Sequence, residues 1–522
     1  MQEAANRDEI RNVKGGCQLK KKPIYRTLTC AAIIGALLVP GAVQANRGTT
    51  GKDAKGHNKI SDSLYKDFES HEKVTFLIKM KNQANTQQTA QVAETNAKAS
   101  IMTKKRVKEL KRSAVLTSLK TKAENTQKDL KTYLQAQTKK GAVSQVESFY
   151  IVNGMAVTAT KEVMQKIAAF PEVEKVLPNQ TIKLSETEKA KIDTTSKASS
   201  SEADANIKQV HAPDVWKKRY KGKGTVVASI DTGVEWDHPA LKKKYRGYNP
   251  TKPNSPNNEY NWFDATSNKK TPYDDLGHGT HVTGTMVGSE SGGKNQIGVA
   301  PTAKWIAVKA FSAEGGSEKD LLEAGEWILA PKDAKGKPHP EKAPDVVNNS
   351  WAGERGLNEW YRDMVKAWRA AEIFPVFAAG NVSETEPGGP GSVENPSNYP
   401  ESFAIGAVDS TNALADFSLQ GPSPYDEVKP DLSAPGVSIR SAYPGHRYAM
   451  MDGTSMATPH VSGVVALIRQ ADPNITVDEI ERILRKTAKP LTDKTFKSSP
   501  NNGYGYGLVD ALKSFNEAKK SR

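Results

Sequence analysis

Asp231, His278 and Ser455 are the residues whose types and settings can do chemistry. Asp231 closes the apolar run "TVVASID" and precedes Thr232-Gly233. His278 lies between glycines in "DDLGHGTHVTGTMVG", and Ser455 sits among small residues in "DGTSMATPHVSGVVALIR". Singly, each has a plain structural role. A strand-end aspartate caps the next turn, a histidine at this place ends a helix or joins His281 on a metal, and a serine before an apolar helix is an N-cap. The His278/His281 spacing, with no glutamate between, is a poor match to the zinc-protease helix pattern. Together the three residues make a different set. A serine hydroxyl is a weak nucleophile and needs a base within hydrogen-bond reach. Histidine takes the proton and returns it to a leaving amine, while a buried aspartate fixes the imidazole tautomer and stabilises the imidazolium. The helix beginning near Ser455 aims free N–H groups and its positive dipole end at the place where negative charge would form. Pro459 falls near that helix start, where a missing N–H is tolerated.

The elements that must position these residues read as an α/β domain over residues 205–522. Short Val/Ile/Ala-rich runs ("TVVASID", "WIAVKAF", "DVVNNSW", "IFPVFAAG", "FAIGAV") alternate with helical segments. Continuous apolar strands between helices predict a mostly parallel sheet with helices on both faces. Ligand chemistry on such sheets gathers at the carboxyl ends of strands. Asp231 ends one run, and Asn381 follows "VFAAG". Asn381 alone reads as a turn residue after Gly380.

Residues 74–184 predict a small α+β domain in the order β-α-β-β-α-β. "EKVTFLIKMK" is a strand, residues 85–140 are helical, and "ESFYIVNGMAVTAT" is two strands about an Asn-Gly turn. "KEVMQKIAAF" is a helix stopped by Pro171, and "VEKVLPNQTIKL" is a last strand. Residues 46–73 are polar and expected to be mobile. Residues 185–204, "SETEKAKIDTTSKASSSEAD", have the composition of an accessible linker.

Residues 1–45 read as an export signal: the basic "LKKKPIYR", the apolar "LTCAAIIGALLV", and "PGAVQA" with small residues before a cut after Ala45. No second long apolar run follows, so a secreted protein with no membrane contact after signal removal is expected. Cys17 and Cys30 are the only cysteines, which excludes a cysteine-based metal or disulfide framework beyond residue 46. The 522 residues carry 74 Lys plus Arg against 59 Asp plus Glu, a formal charge of +15. Lysine runs such as "TKKRVKELKR" lack interleaved aromatics and any nucleic-acid motif, so they read as a solvated helical face and no nucleic-acid partner is expected.

"SIDTGVEWDHPAL", "GHGTHVTGTMVG", "VNNSWAG", "AAGN" and "GTSMATPHVSG" resemble the successive motifs of the subtilase family, in that family's order, over residues 205–513. "YDDLGHGTHVTGTMVGSE", "LLEAGEWILAPKDAKG" and "FSLQGPSPYDEVKPD" carry a closer likeness to one branch of it. "YIVNGMAVTAT" and "FPEVEKVLPNQ" make residues 74–184 similar to the inhibitory propeptide of such enzymes. The resemblance implies a serine endopeptidase acting on proteins and peptides, made as a self-processing zymogen with its own propeptide as intramolecular inhibitor. Ser455 would be nucleophile, His278 the base and then acid, Asp231 its orienting partner, and Asn381 a side-chain oxyanion donor. Ser350, in "NNSW", matches the strand that pairs with substrate backbone, and Gly380 borders the cleft. Ala352 stands where many relatives have glycine beside the specificity pocket. Glu394 aligns with the pocket floor, where it reads either as a surface-loop residue or as a group favouring Lys or Arg at P1. No cofactor is implied for the chemistry. Relatives with a strong calcium site have an acidic residue just after "HP" and a short Asn-bearing loop before "GVAP". Here Ala240 and "SESGGKNQ" stand there, so that site is not expected. Structural calcium elsewhere stays open, with its ligands unknown.

Overall fold

The computed structural model describes residues 59–100, 102–184, 190–193 and 202–520, all within the unit Thr49–Arg522. The export signal read at 1–45 lies outside the described residues.

Seven parallel strands form the central sheet. Their order is Leu432–Pro435, Phe403–Val408, Phe374–Ala378, Val346–Asn349, Val226–Asp231, Lys304–Lys309, Trp262–Asp264. The inner strands show no polar alternation because both faces are covered: "FPVFA" and "FAIGAV" are buried throughout. Neighbouring residues of one strand enter opposite cores. Val227, Val346 and Val376 pack with the helices His278–Val287 and Thr454–Ala471. Ala228, Val347 and Phe377 pack with Glu318–Leu329 and Arg362–Ala370 on the other face.

The N-terminal domain is a four-stranded antiparallel sheet in the order Val143–Phe149, Gly154–Thr160, Lys73–Met80, Val173–Pro178. The helical stretch is broken into Thr86–Ala99, Lys104–Thr126 and Lys128–Lys139. Leu77, Phe149, Ile151 and Ala156 of this domain share one hydrophobic cluster with Trp327, Met364 and Trp368 of the α/β domain. The two halves are therefore joined by a common core.

Three expectations are corrected. The polar segment before residue 74 contains the helix Asp62–Ser70, with Leu64 fully buried and Ile60 paired with Val176. Leu64, Tyr65 and Phe68 form an apolar stripe hidden among charges. Burying one leucine contributes about 1.5–3 kcal/mol, enough to hold so short an element. The last strand is not continuous: after Pro178 the chain leaves the domain, and Thr181–Ile182 pairs antiparallel with Gly316–Ser317 of the α/β half. The linker is partly fixed, since Lys191–Ile192 pairs with Ala449 and Met450, and Asp193 meets Arg440.

Candidate active site

Asp231 enters the site as the last residue of its strand and is almost wholly buried. Its Oδ1 accepts the His278 Nδ1–H and the Thr232 N–H, each at 2.7 Å. That bond keeps the imidazole proton on Nδ1 and leaves Nε2 as the basic nitrogen. His278 opens its helix next to Gly279 for a steric reason. A Cβ at 279 would lie 2.2 Å from the Gly233 carbonyl oxygen and 3.1 Å from Asp231 Oδ1. His281 takes no part in a metal pair: its Nε2 donates to the carbonyls of Ile439 and Ala449, at 2.9 and 3.2 Å.

Asp274 is a positioning residue that sequence reasoning missed. Its carboxylate accepts from Thr280 Oγ1 (2.6 Å), Thr280 N (2.9 Å), Gly277 N (2.8 Å), Leu276 N (3.1 Å) and Thr232 Oγ1 (2.9 Å). It thus holds the first turn of the histidine helix and ties it to the Asp231 strand. An aspartate ahead of a small-residue helix was the available signal. Burial lowers the proton affinity of His278, but the charge and hydrogen bond of Asp231 and the charge of Asp274 outweigh it, so the imidazole titrates above its ordinary value. Base catalysis needs the neutral ring, so the acid limb of kcat/KM is expected above the usual imidazole range. Asp274→Asn should move that limb to lower pH and leave plateau kcat within about tenfold, measured as a pH–rate profile. An unmoved limb rejects the assignment.

Ser455 is the second residue of the helix Thr454–Ala471, after the N-cap Gly453 (φ 144°), so its hydroxyl is not the cap. The hydroxyl donates to the Ser350 carbonyl at 3.1 Å and not to His278. In return Ser350 Oγ donates to the Ser455 carbonyl at 2.9 Å. Pro459 explains this second bond. It lies inside the helix and not in its first turn. Having no N–H, it leaves the carbonyl four residues back, that of Ser455, without its helical donor. Ser350 supplies one, and Asn348 Nδ2 (2.9 Å) holds the Ser350 hydroxyl in turn. Ser350 therefore also buttresses the Ser455 turn, and Gly316–Ser317, which the sequence did not reveal, is an edge that pairs with the extended segment Thr181–Ile182.

Asn381 follows Gly380, whose φ of 103° suits glycine. Its Oδ1 accepts from Thr454 N and Thr454 Oγ1, both at 2.9 Å. Those donors fix the amide orientation, and Nδ2 is left without a partner among the described residues. Such a free donor at the start of the Ser455 helix can take up negative charge on an oxygen.

Gly380 and Glu394 meet in one wall, and the buried Ala352 immediately precedes the segment 353–355 that pairs with it. Glu394 N–H donates to the Ala379 carbonyl, the backbones of Arg355 and Glu394 pair antiparallel, and Gly353 N–H donates to the Asn395 carbonyl at 2.7 Å. A Cβ on Gly380 would lie 2.7 Å from Glu394 Oε2. Glu394 is 8% exposed, and its carboxylate has no hydrogen-bond or ion-pair partner among the described residues. Burial, helped by Glu386 and opposed by Arg355, pushes its pKa up to about 8.

The calcium position tied to Ala240 does not fit an ion. Ala240 offers no side-chain oxygen, and its carbonyl and that of Ser289 accept from the Lys244 ammonium. A cation of the chain itself faces these oxygens. Elsewhere Glu235, Asp237 and His446 bring one potential ligand atom each within 4.8 Å. Glu235 already holds the neighbouring turn through Gly445 N (2.8 Å) and His446 N (3.1 Å).

Sheet, buried Asp–His pair and serine at a helix start accord with the comparison to known proteins. Residues 222–507 match the model of the subtilase family, and residues 75–185 match that of peptidase inhibitor I9. The chain belongs to the subtilase family. It is 58% identical over 505 residues to bacillopeptidase F of Bacillus subtilis (strain 168), covering 94% of this chain and 35% of that protein. It is 32% identical over 356 residues to serine protease AprX of the same organism, covering 62% of this chain and 71% of that protein. To subtilisin Savinase of Lederbergia lenta it is 33% identical over 311 residues, covering 58% of this chain and 96% of that protein. The chain thus spans about a third of the length of bacillopeptidase F.

Proposed function

We propose that this protein is a secreted serine endopeptidase that cuts peptide bonds in proteins through an acyl-enzyme on Ser455. The observation that carries the reading is the buried Asp231–His278 bond of 2.7 Å, which frees Nε2 as a base at the carboxyl edge of the sheet. In the reaction the Ser455 hydroxyl exchanges the Ser350 carbonyl for His278 Nε2, gives up its proton and attacks the substrate carbonyl. Asn381 Nδ2 and the Ser455 N–H hold the resulting oxyanion. His278 then protonates the leaving amine, and water repeats the sequence on the acyl-enzyme. No cofactor enters these steps. A serine-directed phosphonate is expected to label one residue, with labelling lost in Ser455→Ala; undiminished labelling of that variant would end the proposal.

Residues 74–184 serve as the intramolecular inhibitor, with cleavage in 185–204 by the enzyme's own serine. The pairing of Thr181–Ile182 with Gly316–Ser317 supports this, since it lays the segment that precedes the linker along an edge strand as a substrate would lie. Glu326 and Glu318 accept from the backbone N–H groups of Tyr150 (2.6 Å) and Gln180 (3.2 Å), fixing the same face. Export rests on the N-terminal 45 residues. No described helix is long and apolar enough to cross a membrane.

Glu394 gives the enzyme a preference for Lys or Arg at P1. Its carboxylate is inward, unpaired and mostly protonated at neutral pH, so a basic side chain gains a counter-ion once it ionises. The kcat/KM ratio for Arg over Leu peptides should rise several-fold between pH 7 and pH 9. Glu394→Gln should flatten that rise. An Arg preference identical in both proteins at every pH removes Glu394 from specificity.

A further inference from the structure

The run "TKKRVKELKR" is solvated only in part: Lys104, Lys105 and Arg106 are exposed, but the rest of its charge is not. Lys108, Lys111 and Arg112 recur at i, i+3 and i+4 on the helix Lys104–Thr126 and turn together into the α/β half. Lys108 Nζ donates to Asp345 Oδ1 and Lys111 Nζ to Glu372 Oε1, each at 2.6 Å. Arg112 is 6% exposed and spends its guanidinium on three carbonyls: Ala371 (3.0 Å), Ala343 (3.0 Å) and Pro344 (2.7 Å). Val115, Leu116 and Leu119 of the same helix join the shared hydrophobic cluster.

The receiving groups are fixed from the α/β side. Asp345 precedes the strand Val346–Asn349, and its Oδ2 accepts from Val226 N at 3.0 Å. Glu372 Oε2 accepts from Val477 N at 2.9 Å. Burial opposes ionisation of Asp345, but Lys108, Arg469 and Arg112 overcome it and hold its carboxyl below the ordinary range. This receptor lies where strands 226–231, 346–349 and 374–378 begin. Asp231 and Asn381 lie where strands of the same sheet end. The basic helix is therefore held at the amino ends of the central strands, while the Thr181–Ile182 tail is held separately, by Gly316–Ser317 in a two-stranded sheet of its own.

We propose that Asp345, Glu372 and the carbonyls of Ala343, Pro344 and Ala371 form a second prodomain-binding site, remote from the cleft and specific for a helix presenting Lys-x-x-Lys-Arg. The basic helix then holds the prodomain in place after the linker has been cut. A buried arginine donating to three carbonyls is strongly bound, and removing it strands those acceptors. This rests on reading residues 74–184 as a prodomain, and its test uses no catalysis.

The test takes the full chain carrying Ser455→Ala, with residues 196–199 replaced by a recognition site for an added, specific protease. After that cut, prodomain release is followed by size-exclusion and by surface plasmon resonance with the α/β half immobilised. Arg112→Ala should speed release at least tenfold, as should Lys108→Met/Lys111→Met, which keeps both stems and serves if Arg112→Ala does not fold. Lys105→Ala, on the exposed side of the helix, should release at the parent rate. Release within twofold of the parent in both the Arg112 variant and the double variant overturns the proposal. Because the readout is binding, a failed Ser455 assignment would leave it intact.

Discussion

Ser455→Ala is expected to lower kcat toward peptide substrates by on the order of 10⁶, a loss of the size that subtilisin itself shows for its serine. The effect is chemical, because the substitution removes one hydroxyl whose hydrogen bond, to the Ser350 carbonyl, is worth about 1 kcal/mol. Stability and KM should therefore stay close to wild type. His278→Ala should cost a similar factor. The double variant should lose little more than either single one, because a base without a nucleophile and a nucleophile without a base are equally idle. Multiplying losses in the double variant, or more than a tenth of the activity left in Ser455→Ala, would contradict the assignment. The same variant should accumulate with its 185–204 segment intact when other proteases are excluded.

Asn381→Leu is expected to reduce kcat by about 10²–10³ with KM nearly unchanged, the range known for the side-chain oxyanion donor of a subtilisin. The structure supplies the reason for this kcat-selective effect. Asn381 Oδ1 is held by two donors of Thr454, so the free Nδ2 is oriented before substrate arrives and nothing must reorganise as charge develops. Asn381→Asp makes the sharper test. It keeps an acceptor for Thr454 and removes only the donor, while adding a negative charge where the oxyanion forms, so its kcat should be no higher than that of Asn381→Leu. A variant whose KM rises while kcat holds would make Asn381 a ground-state contact.

The proposed chemistry was legible in the sequence because its candidate residues sit in short contiguous stretches. An apolar strand ending in Asp231, a histidine between glycines and a serine opening a small-residue helix each carry their own local signal, as do the apolar runs that specify a parallel sheet. Asp274 was also within reach, four residues before His278. Glu394 and Ala352 were harder: the helix Arg362–Ala370 and the strand Phe374–Ala378 lie between them in the chain, and only the pairing of 353–355 with 394–395 puts the carboxylate beside Gly380.

What the sequence determined by itself was the set of candidate reacting groups and the sheet that carries them, since both follow from residue type and local periodicity. Tertiary structure alone decided which partner each group meets. The Ser455 hydroxyl rests on a carbonyl 105 residues away, and Arg112 enters a site 259 residues from its own position. The lysine run read as solvated for the same reason: a helix face declares its charge, but only packing shows whether that charge meets water or a buried carboxylate.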